Sequence, residues 1–402
     1  MQGATQATTG RFDALDGWRG VCACFVVLFH FHGWGPLYTS SFVRDSYLFV
    51  DFFFVLSGFV IAWNYGDRLA SWPEMKRFLI LRLGRVYPLH LFMLFCFLAY
   101  ETARSFFALH HPGVSATFTG STDAGAILGN LALVQSLHVY DVLTWNVPSW
   151  SISTEYWTYF VFALVSVCFG LRNATLLAVA IVAPLLIARV STTGMNVTYD
   201  WGLVRCIFGF ALGVACCRFY RRWPTAMHQA SRTQMTVLEL LVVLAVVLFV
   251  MEAGMSGLPI LAPFLFAVAV LVFAAEGGWV SGLFRSRPLR WLGTVSYSIY
   301  MTHYFLVMLV PTFFKHGLHR DYSAVMPVPG EAPVEVFGRN DLEGTFFYLL
   351  VLGLTLLLSA FTYRWIEKPG RDWSRRWAGR PAVAPAAEPV HDAASHRADP
   401  AR

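Results

Sequence analysis

Apolar residues follow one another along this chain in stretches long enough to cross a hydrocarbon core of about 30 Å, from one end of the sequence to the other. Ten such stretches are predicted as membrane spans, over residues 19–36, 47–65, 78–100, 150–170, 174–190, 201–217, 236–252, 259–275, 291–313 and 345–365. A β-barrel would show short alternating segments instead. The expected fold is all-α, a polytopic transmembrane helical bundle. Residues 1–18 read as a polar N-terminal segment, 19–370 as the membrane domain and 371–402 as a disordered tail, Ala/Pro-rich from about residue 377. No small-residue cleavage site follows the first apolar run, so that run is expected to stay as an anchor. Two connections are long. Residues 101–149 hold "GAILGNLALVQSL", too short to span and expected to lie in the interface or dip into it; residues 314–344 are rich in Pro, Gly and charge and read as loop.

Charge supplies the orientation. Of 402 residues, 56% are hydrophobic and 13% charged, about half the charged share of a soluble domain. With the N-terminus inside, the inner segments carry 20 Lys and Arg residues and the outer loops 5, which predicts that both termini are cytoplasmic. The net charge of +6 then reflects basic loops facing anionic lipid, and no nucleic-acid partner is needed to explain it. All seven cysteines lie in apolar segments and read as small buried hydrophobes. Cys216 and Cys217 have no His or carboxylate near them in sequence, so no metal site is expected.

Polar groups inside spans are costly and are candidates for function. Counted at about 1.5 Å per residue, His30 sits about 16 Å from the inner end of the first span, and His303 about 18 Å from that of the ninth. Asp51 lies about 6 Å, Ser57 about 15 Å and Glu155 about 8 Å from the outer ends of their spans. Arginines sort to the other side: Arg19 at the inner end of the first span, with Arg82 and Arg85 one turn apart near the inner end of the third. Eleven residues separate Arg19 from His30, which returns a helix to nearly the same face about 16 Å further on. This pattern predicts a polar chamber with a basic inner entrance suited to phosphates and a histidine–carboxylate pair suited to general base catalysis. A lone histidine in a span is as well explained by interhelical hydrogen bonding, and His90 is read that way.

The segments "LDGWRG" followed by "VVLFH", then "VDFFFVLSGFVI", "RLGRVYP", "VPSWSISTEYW" and "LGTVSYSIYMTH", resemble in order and spacing the signatures of the acyltransferase-3 family of integral-membrane acyltransferases, over about residues 11–370. The resemblance implies transfer of an acyl group, commonly acetyl, from cytoplasmic acyl-CoA to a hydroxyl of a surface polysaccharide, a lipopolysaccharide sugar or a glycosylated small molecule, at the cytoplasmic (inner) membrane. Its arginine-ten-histidine motif matches Arg19 and His30, the latter regarded as catalytic. Its Arg-x-x-Arg motif matches Arg82 and Arg85, its Ser-Gly matches Ser57 and Gly58, and its Trp-Ser-x-Ser-x-Glu matches Trp150, Ser151, Ser153 and Glu155. Thr154 and the "MTH" around His303 depart mildly from the pattern. Many members carry a fused SGNH hydrolase-like domain; none is legible here, so transfer is expected to be completed by the membrane domain or a separate partner.

On this reading His30 deprotonates the acceptor, Glu155 orients or charges His30, and Arg19, Arg82 and Arg85 hold the phosphates of acetyl-CoA or another acyl-CoA. Asp51, Ser57, Trp150, Ser153, Tyr297 and His303 line the substrate path, with no metal involved. Direct attack and relay through an acylated residue both stay open, as does the oligomeric state. A membrane transporter or exporter of an acylated or glycan substrate is the rival reading, since midplane polar groups suit it too. Repeated halves and paired Gly/Pro-broken spans, which a transporter would favour, are not found.

Overall fold

The computed structural model of the chain describes residues 12–66, 68–109, 116–223, 229–254, 257–328 and 332–379. Each predicted span falls on one long helix: α1 Asp13–His30, α2 Phe49–Tyr65, α3 Trp72–Ala108, α4 Trp150–Phe169, α5 Asn173–Val190, α6 Gly202–Arg222, α7 Arg232–Ala253, α8 Ala262–Ala274, α9 Arg287–Thr312 and α10 Asp341–Thr362. Among the described residues, eight helices are long and apolar enough to cross a membrane, so the chain is a multi-pass, all-α membrane bundle. The other two fall short for visible reasons. α1 carries Asp13, Asp16 and Arg19, and the apolar run around α8, Leu258–Ala274, is shorter.

Burial sorts the helices by position. The span containing α2 has 78% of its apolar window buried, whereas that of α5 has 17%. α2 and α6 therefore form the centre and α5 faces outward. Of the seven cysteines, Cys22, Cys206, Cys216 and Cys217 are buried, Cys24 and Cys96 partly buried, and Cys168 exposed, so the expectation that all are buried does not hold for the last.

Three boundaries differ from the sequence-based expectation. α1 starts at Asp13, inside the segment expected to be polar and outside the membrane domain, and it ends at His30 instead of residue 36. It stops because the following residues are drawn into extended pairing: Phe337 N–H donates to the His32 carbonyl (2.8 Å) and Trp34 N–H to the Phe337 carbonyl (3.1 Å). Gly35, at φ +113°, then turns the chain into Pro36. Phe337 belongs to a two-stranded antiparallel hairpin, β1 Ser323–Met326 with β2 Val334–Phe337, where a loop was expected. At the other end, the expected tail begins as helix α11, Lys368–Trp377, joined to α10 by a π-helical turn, Tyr363–Glu367. The rest of that tail, residues 380–402, lies outside the described residues, as do residues 1–11.

The connection before α4 dips inward. It holds a short helix, Ala126–Leu131, whose Asn130 is fully buried. His90 of α3 meets the Asn130 carbonyl at 2.9 Å, the interhelical role expected of that histidine.

One helix pair organises the interior. α1 and α9 run parallel, and their backbones approach until a Cβ on Gly20 would lie 2.5 Å from the Gly293 nitrogen. A Cβ on Gly293 would in turn lie 2.1 Å from the Asp16 carbonyl oxygen. Only glycine permits this crossing, because backbone atoms that cannot yield stand opposite. Gly20→Val is expected to destabilise the protein by about 2 kcal/mol or more through overpacking, read as a lower apparent melting temperature in detergent. A variant with a wild-type melting curve would contradict the close approach.

Candidate functional site

At the end of the close crossing, α1 places Arg19 against α9. Its Nε donates to Ser296 Oγ (2.8 Å) and its Nη2 to the Gly293 carbonyl (2.7 Å), while Asp16 lies 3.0 Å from Nη2. Arg19 thus sits within the second turn of its helix, held in place, and not at the helix end. Beside it opens a cavity of about 810 Å³ counted out to its mouth, lined by Arg19, Arg82, Arg85, Ser57, Glu155 and Tyr297 among others. Six residues singled out in the sequence therefore converge there from α1, α2, α3, α4 and α9.

Inside that cavity Glu155 gathers hydroxyls. One carboxylate oxygen accepts from Ser57 Oγ at 2.6 Å and from the Tyr159 hydroxyl at 2.5 Å, and the two hydroxyl oxygens are 2.8 Å apart. Tyr159 lies one turn beyond Glu155 on α4, a spacing that puts both on one face. The Tyr297 hydroxyl donates to the Val86 carbonyl at 2.5 Å and so ties α9 to α3. Arg82 donates to the Tyr65 hydroxyl (3.1 Å) and stacks over that ring, its guanidinium carbon 5.2 Å from the centroid. Its Nε is buried and has no hydrogen-bond partner among the described residues. A buried guanidinium donor left open in this way is prepared for an anion.

His30 is paired with His303 and not with Glu155. His303 Nε2 lies 3.2 Å from His30 Nδ1, which is also 2.9 Å from the Val26 carbonyl. His303 Nδ1 is 3.2 Å from the Ile299 carbonyl. Carbonyls only accept, so both Nδ1 atoms carry their protons, His303 Nε2 accepts, and the lone pair of His30 is left on Nε2. The carboxylate expected to orient His30 is replaced by a second imidazole, and His303 moves from the substrate path to that orienting position. The two histidines stand outside the lining of the arginine cavity. Tyr300, which does line it, has its ring 5.9 Å from that of His303 and 5.9 Å from that of Phe53. Phe53 and Tyr300 form the cavity wall nearest the pair.

Three expected path residues serve the scaffold. Asp51 is fully buried in a two-pronged ion pair with Arg205 of α6, at 2.8 Å to Nε and 2.7 Å to Nη2. Trp150 packs beneath the same guanidinium, 5.4 Å from its ring centroid. Ser153 donates to the Leu133 carbonyl (2.7 Å), fastening α4 to the inward-dipping connection. Arg205 and Tyr159 were not singled out from the sequence, nor was Glu367, which is buried and accepts from Ser298 Oγ at 3.0 Å. Spacing alone could have found Tyr159, four residues after Glu155.

The family model described as an acyltransferase domain matches residues 12–370. The chain belongs to this acyltransferase-3 family. Among known proteins it is similar to the peptidoglycan O-acetyltransferase OatA of Listeria monocytogenes, 24% identical over 82% of this chain and 54% of the relative. A putative peptidoglycan O-acetyltransferase of Bacillus subtilis, YrhL, is 24% identical over 89% of this chain and 54% of its own length. A shorter match, 41% identical over 100 residues, is to protein 2 in the picA locus of Rhizobium radiobacter and covers 24% of this chain and 49% of that one. The chain thus spans about half the length of these curated relatives. No solved structure matches it.

The Asp51–Arg205 assignment has a direct test. Asp51→Ala strands a buried guanidinium and is expected to cost about 3–5 kcal/mol of stability, whereas Asp51→Leu combined with Arg205→Met is expected to restore most of it. Thermal unfolding of the purified variants reads the difference. Equal melting temperatures for wild type and Asp51→Ala would contradict a structural ion pair.

Proposed function

We propose that the chain is an O-acyltransferase of the cytoplasmic (inner) membrane, with both ends in the cytoplasm. It moves a short acyl group, acetyl foremost, from acyl-CoA to a hydroxyl of a carbohydrate or glycosylated small molecule. The observation that carries this reading is one cavity joining Arg19, Arg82 and Arg85, with an unpaired buried donor on Arg82, to a wall in contact with the His30–His303 pair. Family membership and similarity to two proteins named as peptidoglycan O-acetyltransferases support the reaction type and a carbohydrate acceptor.

Arg82 and Arg85 hold the phosphates of the donor by charge-assisted hydrogen bonds, and Arg19 completes the basic entrance. The polar floor made by Ser57, Glu155 and Tyr159 guides the flexible arm toward Tyr300. Phe53 and Tyr300 turn aside to admit the thioester to the histidines. His30 takes the proton of the acceptor hydroxyl at Nε2 while His303 steadies the imidazolium through Nδ1. The acceptor oxygen bonds to the acyl carbon as its carbon–sulfur bond breaks. His30 returns the proton to the departing thiolate.

His30→Ala, with folding confirmed by its melting curve, is expected to lower acyl transfer from labelled acetyl-CoA by about 10²–10⁴-fold. Undiminished transfer would remove this mechanism. Arg82→Ala is expected to raise the KM for acetyl-CoA about tenfold or more, the effect of losing a charged hydrogen-bond donor. An unchanged KM would remove Arg82 from donor binding.

A further inference from the structure

A second cavity, of about 650 Å³ counted out to its open mouth, lies beyond the end of α1, lined by Phe29, Phe31, His32, Tyr38, Asp45 and Asn196 among others. Phe29 and Phe31 flank His30 in the chain, and the Phe29 ring is 4.7 Å from that of His30. Tyr300 of the arginine cavity has its ring 5.9 Å from that of His303. Each histidine of the pair thus neighbours a residue lining a different cavity.

The second cavity combines aromatic faces with short polar arms. His32 and Tyr38 meet edge to face at 5.3 Å. Phe31 and Tyr348 do the same at 5.1 Å, and the Tyr348 hydroxyl is buried. Asp45 is buried, with Oδ2 accepting from Gly254 N–H at 3.2 Å, and Arg44 and Asn196 complete the lining. A carboxylate, an amide, a guanidinium and a phenol around aromatic rings fit a ligand with an apolar face and several edge hydroxyls.

We infer that this cavity is the acceptor subsite and that it takes a single pyranose ring, stacked on Tyr38 or Phe31 with its hydroxyls on Asp45, Asn196 and Tyr348. The inference rests on the acyltransferase reading and adds to it the side from which the acceptor reaches His30. The enclosing walls come from the end of α1, the short helices Pro36–Thr39 and Ser41–Arg44, the connection holding Asn196, and α10, and the extended pairing of residues 32–34 with β2 fixes the chain as it leaves α1.

The full chain, purified in detergent, can be titrated with N-acetylglucosamine, its trimer and maltotriose under saturation-transfer NMR. At least one sugar is expected to receive saturation at its ring protons. Asn196→Ala is expected to weaken that sugar's binding about fivefold, the effect of one lost hydrogen bond. Val43→Trp, which fills the cavity, is expected to abolish it. Asn196 is half-buried in a connection, and a melting curve of the variant checks that its removal leaves the fold in place. Sugar binding indifferent to both variants, or no binding of any of the three sugars, would overturn the subsite. Release of acyl from labelled acetyl-CoA, followed in parallel, decides the underlying reaction separately.

Discussion

The close parallel crossing of α1 and α9 is the constraint from which the site follows. With only hydrogen atoms on Gly20 and Gly293, the two backbones touch at one end, and Arg19 reaches across to Ser296 and the Gly293 carbonyl. Two helices fixed at one end and running in the same direction stay in register. Ten residues after Gly20 and ten after Gly293, His30 and His303 therefore meet. A bulkier residue at the crossing would spread the helices and separate the imidazoles, so the basic entrance and the histidine pair are two consequences of one packing decision.

The remaining interior charges show what low dielectric demands. Asp51 is neutralised by Arg205 in two parallel hydrogen bonds, and Glu239 by two backbone N–H groups and the Ser281 hydroxyl at the start of helix Trp279–Phe284. Glu101 accepts from Arg104, Phe118 N–H and Thr122 and so holds the outer connection down. Each is a charge whose hydrogen bonds are complete and which serves the fold. Arg82 keeps a buried Nε without a hydrogen-bond partner among the described residues at the edge of the arginine cavity, and the two cavities differ in their linings: three arginines in one, aromatic rings with mixed polar groups in the other.

Much of this was legible in the sequence, because a membrane forces long apolar runs and makes every buried polar residue conspicuous. All ten helices and the convergence of Arg19, Arg82, Arg85, Ser57, Glu155 and Tyr297 on one cavity could be read from run length, depth and motif. What depth cannot give is azimuth. Asp51 and Glu155 were both polar residues near the outer ends of their spans, yet one faces Arg205 and the other the cavity. Likewise depth alone reads His303 as a residue of the substrate path, since only the α1–α9 crossing decides that it meets His30. The end of α1 was misplaced because "FHGWG" is apolar enough to prolong a span, and the strand pairing that ends it comes from residues some three hundred positions away.

The central claim is that His303 acts through His30 and not on its own account. A double-mutant cycle on acyl-transfer rate, with His30→Ala, His303→Ala and the two combined, measures this directly. The account predicts that the combined variant is no slower than His30→Ala alone, to within about twofold. Losses that multiply would contradict it and make the two imidazoles independent.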